Sequence, residues 1–440
     1  MGRSIQPQSK VALYDHVSMK RILNKLGFWG MLFLVSYFFL YIFPFPLEWL
    51  PFQIGERISS YIDGLWQKSV LSLVRDVWGY YGAIDTRVNG SGDMTYHFLK
   101  LLFQVAVSGI LATVWFLLDK QRNIFKKIKP YAFVYARYYL AFTLLTYGFA
   151  KVFPNQFWEP GLTDLTKPFG EISPMGLLWK FMGYSAPYII FTGTMEVIAG
   201  VFLFFRKTTR LGAVLAFGVM LNIFVLNMSY DVPVKLFSFH LVLLSIIILS
   251  KDIKAYLNFF VLNKTVPAYE FEPYFKKGTH VKLGYLAKGL VILFISWTMI
   301  SENQSNLSKY GRKAEMPSLY GIYEVETFIV NNDTIEPLLT DEKRWRRLIV
   351  DKFSTNITRM NGEILYVRSE VDTTNATVKI APYSKPLEYH FQYGLRDSVL
   401  VFSGTHGKDS LRIEFRVKDK NEFHLMNRGF HWINEYPNNR

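Results

Sequence analysis

Cysteine is absent from all 440 residues. That excludes disulfides, thiol nucleophiles, cysteine-ligated iron–sulfur clusters and cysteine zinc sites within the chain. Histidine is scarce, with 8 residues in all. His390, His406, His424 and His431 are scattered without a short ligand spacing, so no metal site is expected. There is no dinucleotide fingerprint and no P-loop. Acidic side chains are outnumbered, 35 against 50 lysines and arginines, for a net charge of +15. The excess does not point to nucleic acid, because the basic residues cluster at the ends of apolar blocks. Long apolar runs are missing after about residue 300 and dominate before it.

Half of the chain is apolar and 17% is aromatic. A membrane-spanning helix needs about 20 mostly apolar residues. Segments 27–46, 97–118, 131–153, 186–205, 211–228, 235–250 and 283–300 qualify by this reading, which predicts seven spans. Proline and glutamate follow the first segment where a cleaved leader would have small residues. Lys20, Arg21 and Lys25 precede the first span, and Lys120 to Lys129 separate the second and third. Arg206 to Arg210 separate the fourth and fifth, and Lys251, Lys254, Lys264, Lys276, Lys277 and Lys282 separate the sixth and seventh. All four basic regions fall on one side, which is expected to be cytoplasmic, with the amino terminus inside and the carboxyl terminus outside. Residues 52–82 mix charge and aromatics at helical spacing and read as an interfacial helix. Lys100 and Lys288 read as snorkelling at segment ends.

From about residue 312 the pattern switches to period two. YGIYEVETFIV, GEILYVRSEV, LEYHFQYG, DSVLVFSG and LRIEFRVKD alternate apolar and polar residues between turn sequences such as Asn361-Gly362 and His406-Gly407. An antiparallel meander curled into a small barrel is expected, with one inserted helix over 341–351 capped by Thr340. The Gly321-Ile322-Tyr323 opening and the closing Arg428 resemble lipocalin-like barrels, in which an aromatic packs under a late arginine. The interior is expected to be filled by its own side chains. The domains are read as 1–130 (two spans and an interfacial helix), 131–250 (a four-helix bundle), 251–311 (a loop, the seventh span and a linker) and 312–440 (the β-domain).

Ionisable groups inside hydrocarbon are costly and face the bundle interior. In the third span Arg137, Gly148 and Lys151 share one helix face, and in the fourth Gly193, Glu196 and Gly200 do. By the rise per residue, Arg137 lies about 9 Å above the cytoplasmic end of its helix, Glu196 about 15 Å and Asn222 about 18 Å. These depths suggest an Arg137–Glu196 pair. A second layer nearer the outside holds Tyr147, Lys151, Asp231, Lys235 and His240, with Asp231 in reach of Lys151 or Lys235. Two readings stay open: a polar clamp between helices, or a proton or ligand site.

Residues 131–250 resemble the DoxX family of four-helix bacterial membrane proteins. The resemblance rests on Arg137, Tyr147-Gly148-x-x-Lys151, Gly193-x-x-Glu196-x-x-x-Gly200, the basic turn RKTTR, LGAVLAFG, and Tyr230 to Lys235. It implies a membrane-associated redox role, with a quinone or other lipid-soluble ligand in a core lined by Arg137, Tyr147, Lys151, Glu196, Asn222, Asp231, Lys235 and His240. Any electron-carrying cofactor would then belong to a redox partner protein, and lipid is the other partner. The alternative class is non-enzymatic: a carrier, receptor or assembly factor that presents the β-domain to periplasmic proteins or lipids.

Overall fold

A computed structural model describes residues 8–268, 278–383 and 388–439, with backbone alone for residues 8–21. The expected basic residues Lys276 and Lys277 lie outside the described residues. The chain divides into two compact units. One takes the residues up to 152 together with 190–301; the other takes 153–189 together with 302–440.

The first unit is helical. It contains α1 (Gln8–Ile42), α2 (Ile54–Asp76), α3 (Thr95–Leu118) and α4 (Asn123–Val152). The short helices α5 (Leu162–Thr166) and α6 (Pro174–Tyr184) lie in the second unit, and α7 (Ala186–Phe204) leads back into the first. α8 (Thr209–Ser229), α9 (Lys235–Ser250), the short α10 (Ile253–Tyr256) and α11 (Gly278–Lys309) follow. α1 stops where Phe43-Pro44-Phe45-Pro46 begins, because a residue before proline is pushed out of the helical region. Asp119 starts α4 by accepting from the backbone N–H of Ile124 (3.1 Å) and Phe125 (2.7 Å).

Among the described residues five helices are long and apolar enough to cross a membrane: the Ile22–Trp49 region, α3, α7, α8 and α11. A sixth is added if α9 and the following Ile253–Val261, bent by 76° from it, form one span. The expected seven is therefore corrected. The third expected span lies in α4, a 30-residue helix whose apolar character is diluted by Arg137, Lys151 and several tyrosines. Buried Leu140, Ala141, Leu144, Leu203, Ala213 and Leu244 form the centre of this unit. α2 packs Val70 and Val74 against Tyr96 of α3 and leaves most of its surface exposed.

Neither flanking lysine merely snorkels. Lys100 lies 3.4 Å from Asp63 and 5.7 Å from the centre of the Trp66 ring. Lys288 donates to the Phe204 carbonyl at the end of α7 and sits over the Phe205 ring at 4.8 Å. A cation there complements the negative end of the helix dipole.

The second unit is built on a barrel. Its strands are β1 (Gly321–Val330), β2 (Asp333–Thr334), β3 (Trp345–Val350), β4 (Thr355–Arg359), β5 (Ile364–Asp372), β6 (Thr377–Pro382), β7 (Tyr389–Arg396), β8 (Val399–His406) and β9 (Asp409–Lys418). Each strand from β3 onward pairs antiparallel with the next, β1 pairs with β3, and β9 returns to β1. The result is an eight-stranded up-and-down barrel, with β2 folded back on β1 as a short hairpin. Closure leaves the eight strands without a free edge. The expected helix over 341–351 is instead β3. Its Trp345, Leu348 and Val350 enter the core, and the pull of that apolar set outweighs the helix preference of DEKR.

The barrel interior is filled by Trp345, Phe402, Ile413 and Phe415, each no more than 1% exposed. Arg428 does not close the barrel under Tyr323. It donates to Asn434 on the exposed tail, while the Tyr323 hydroxyl donates to Leu319. The buried arginine is Arg344. Its guanidinium donates to the carbonyls of Ile335 (3.0 Å), Trp345 (3.2 Å) and Glu326 (3.2 Å). Burial pushes its ionisation below the ordinary arginine value. α5 packs against this unit through Leu162, beside Ile322 and Ile349, and α12 (His424–Asn427) follows the last strand.

Candidate functional site

The charged centre lies where α4 crosses α7. A β-carbon on Gly148 would stand 3.0 Å from the Gly193 carbonyl oxygen and 3.0 Å from the Val197 nitrogen. One on Gly193 would stand 2.7 Å from the Gly148 carbonyl oxygen and 2.8 Å from the Val152 nitrogen. Both backbones therefore touch, as small residues allow between helices in lipid. Gly200 extends the contact toward the other end, within 2.9 Å of the Ala141 carbonyl oxygen by the same measure.

This register decides which cation meets Glu196. Lys151, one turn beyond Gly148, places its ammonium 2.7 Å from the Glu196 carboxylate, with the side chains 7% and 2% exposed. Arg137 does not meet Glu196 as expected. It lies 14 residues before Lys151, about 21 Å along the helix, level with the far end of α7. There it donates to the Thr209 hydroxyl (2.8 Å), which donates on to the Phe205 carbonyl (2.8 Å). Depth counted from separate helix ends misleads, because the glycine contacts set the true register.

The other expected site residues are dispersed. Tyr147 keeps its ring 5.8 Å from the Lys151 ammonium and 5.9 Å from Phe237, and is 41% exposed. Asn222 faces outward from α8 and lines no core. Buried Asn227 is the inward asparagine, donating to Ser238 at 3.1 Å. Asp231 sits in the turn between α8 and α9 with a φ of 52° and pairs with Lys235 at 2.7 Å. Lys235 also belongs to a cap that sequence reading missed. Asp93, from the segment before α3, accepts from the backbone N–H of Lys235 (2.7 Å) and Leu236 (3.0 Å), holding the start of α9. Asp93 stands two residues before a helix of its own, so its sequence position suggests a local cap.

His240, expected in the layer nearer the outside, is buried, with one hydrogen-bond partner on its own helix and one on α1. Its Nδ1 lies 2.6 Å from the Leu236 carbonyl oxygen and its Nε2 lies 2.5 Å from the Tyr37 hydroxyl. Tyr41 stacks on the imidazole at 4.1 Å. Nothing in the run SYFFLYI separates Tyr37 from its aromatic neighbours, so only the fold reveals this contact. No group of His, Asp and Glu among the described residues is arranged to hold a metal ion.

The arrangement defines a class: a polytopic helical membrane protein with a buried lysine–glutamate pair at a glycine crossing, carrying an eight-stranded barrel in the same chain. Residues 132–228 match the DoxX family. The chain is also 33% identical over 141 residues to the uncharacterised protein YwoB of Bacillus subtilis (strain 168), an alignment covering 32% of this chain and 86% of YwoB. The chain belongs to the DoxX family. No solved structure matches it.

Proposed function

We propose that the helical unit binds a quinone or another lipid-soluble molecule at the Lys151–Glu196 pair and serves a redox partner. The observation that carries this reading is the pair itself: two ionisable side chains almost fully buried in apolar helices, 2.7 Å apart. Groups of this kind in hydrocarbon mark ligand or proton sites. The Lys151 ammonium can donate to a quinone carbonyl, and the Glu196 carboxylate can accept from a quinol hydroxyl. Reduction of a quinone takes up two electrons and two protons. The electrons come from the redox partner and both protons from water, relayed one at a time to the ring oxygens by the Lys151 ammonium.

The same proposal sets the protein in a bacterial inner membrane with its amino terminus in the cytoplasm and its β-domain in the periplasm. The clustering of Lys120 to Lys129, Arg206 to Arg210 and Lys251 to Lys254 supports that orientation. It counts α4, about 45 Å long by its rise, as crossing with the other helices. The carrier reading has less support, since the barrel interior is occupied by Trp345, Phe402 and Phe415. Lipid mass spectrometry and the ultraviolet spectrum of the purified full-length protein test the proposal. Co-purified quinone, lost in Glu196→Gln, is expected; wild-type protein that neither carries nor takes up quinone overturns it.

A further inference from the structure

Four aromatic residues follow one another at four-residue intervals on α1: Trp29, Phe33, Tyr37 and Tyr41. Their rings stack in sequence, at 5.6 Å and 16°, 5.9 Å and 12°, and 6.3 Å and 22°. Four-residue spacing keeps side chains on one helix face. Trp29 is partly exposed and donates its indole N–H to Thr113 at 3.0 Å. Tyr37, third in the series, is 6% exposed and is hydrogen-bonded to the imidazole of His240.

The hydrogen bonds fix the direction of that contact. A carbonyl oxygen only accepts, so His240 Nδ1, facing the Leu236 carbonyl at 2.6 Å, carries a proton and donates. Burial among apolar helices disfavours a charged ring; in the neutral ring Nε2 is the acceptor, and the Tyr37 hydroxyl donates to it at 2.5 Å. Tyr41, stacked parallel to the imidazole at 4.1 Å and 8°, holds the ring in place. A buried phenol hydrogen-bonded to a neutral imidazole is poised to lose a proton over the length of that bond.

We propose that Tyr37 is a redox-active tyrosine that gives up one electron through the α1 ring ladder while its phenolic proton passes to His240. The oxidant is of the lipid peroxyl radical class, met at Trp29. Tyr37 loses one electron, its O–H bond breaks, and an N–H bond forms at Nε2. A neutral phenoxyl radical is left beside an imidazolium. The peroxyl radical takes up the electron and, from water at the membrane boundary, one proton, and becomes a hydroperoxide. The ladder allows this although the oxidant never reaches Tyr37 itself. The assignment does not rest on quinone binding at Glu196.

The test uses the purified full-length protein in vesicles of unsaturated phosphatidylcholine, with a lipid-soluble azo initiator as the peroxyl source and freeze-trapped electron paramagnetic resonance as readout. A neutral tyrosyl signal is expected in the wild type and in Tyr41→Phe, with loss of that signal in Tyr37→Phe. Tyr37→Phe removes only a hydroxyl, and its unfolding temperature is measured alongside. In protein carrying nitrogen-15 histidine, hyperfine coupling between the radical and an imidazole nitrogen is expected. An undiminished signal in folded Tyr37→Phe, or the absence of histidine coupling, overturns the proposal. Failure of quinone binding with the Tyr37 signal intact sinks only the Glu196 reading.

Discussion

At the scale of single residues, Lys151 and Glu196 are the pair on which the helical unit depends. Desolvating both charges is costly, and the mutual attraction offsets that cost only while both are present. Lys151→Met leaves a lone carboxylate between α4 and α7, with an expected loss of roughly 3–5 kcal/mol. The double variant Lys151→Met, Glu196→Met is expected to recover most of that stability, because an apolar pair of similar volume carries no desolvation cost. Thermal unfolding of both variants in one detergent checks this; equal destabilisation of single and double variants contradicts it. Both residues were visible in the sequence as charges inside apolar segments. Their pairing was not, since it depends on the contact between Gly148 and Gly193. Asn222 looked equally significant by the same rule and faces outward, because periodicity alone does not tell which face of α8 is covered.

At the scale of elements, the helices were easier to read than the strands. Apolar length marks a membrane helix strongly, whereas Trp345–Val350 carries a charged run before it that suits a helix cap equally well. The start of β3 is instead organised by Asp341, whose carboxylate accepts from the backbone N–H of Lys343 (2.7 Å) and Arg344 (2.8 Å). Those two bonds hold its ionisation below the usual aspartate value. A depressed folded value means the contribution is complete above the unfolded value of about 3.9 and is lost as pH falls through the folded one. Asp341→Asn should therefore flatten the acid limb of barrel unfolding while leaving it unchanged in shape near neutrality. Hydrogen exchange of the barrel strands against pH reports this, and an acid limb identical to the wild type counts against the role given to Asp341.

At the scale of the whole molecule, membrane character and the β-domain were both legible. The number of spans was not, because α4 trades apolar residues for buried Arg137 and Lys151 and for tyrosines at the margin of the core. The barrel interior followed from alternation; its closure by β9 on β1 is a long-range pairing that no local pattern announces. Orientation is open to a direct check, since the chain has no cysteine of its own. A membrane-impermeant maleimide on intact bacterial cells should label Lys408→Cys in the turn before β9, and Lys207→Cys between α7 and α8 only after permeabilisation. The reverse pattern inverts the proposed orientation.

The central claim is that the buried Lys151–Glu196 pair is a ligand centre and more than a clamp between helices. Quinone titration of the purified full-length protein, comparing the wild type with the Lys151→Met, Glu196→Met double variant, separates these roles once thermal unfolding has shown that the double variant is folded. Saturable binding in the wild type and its loss in the folded double variant is the predicted result. Equal binding by both proteins, or by neither, contradicts it.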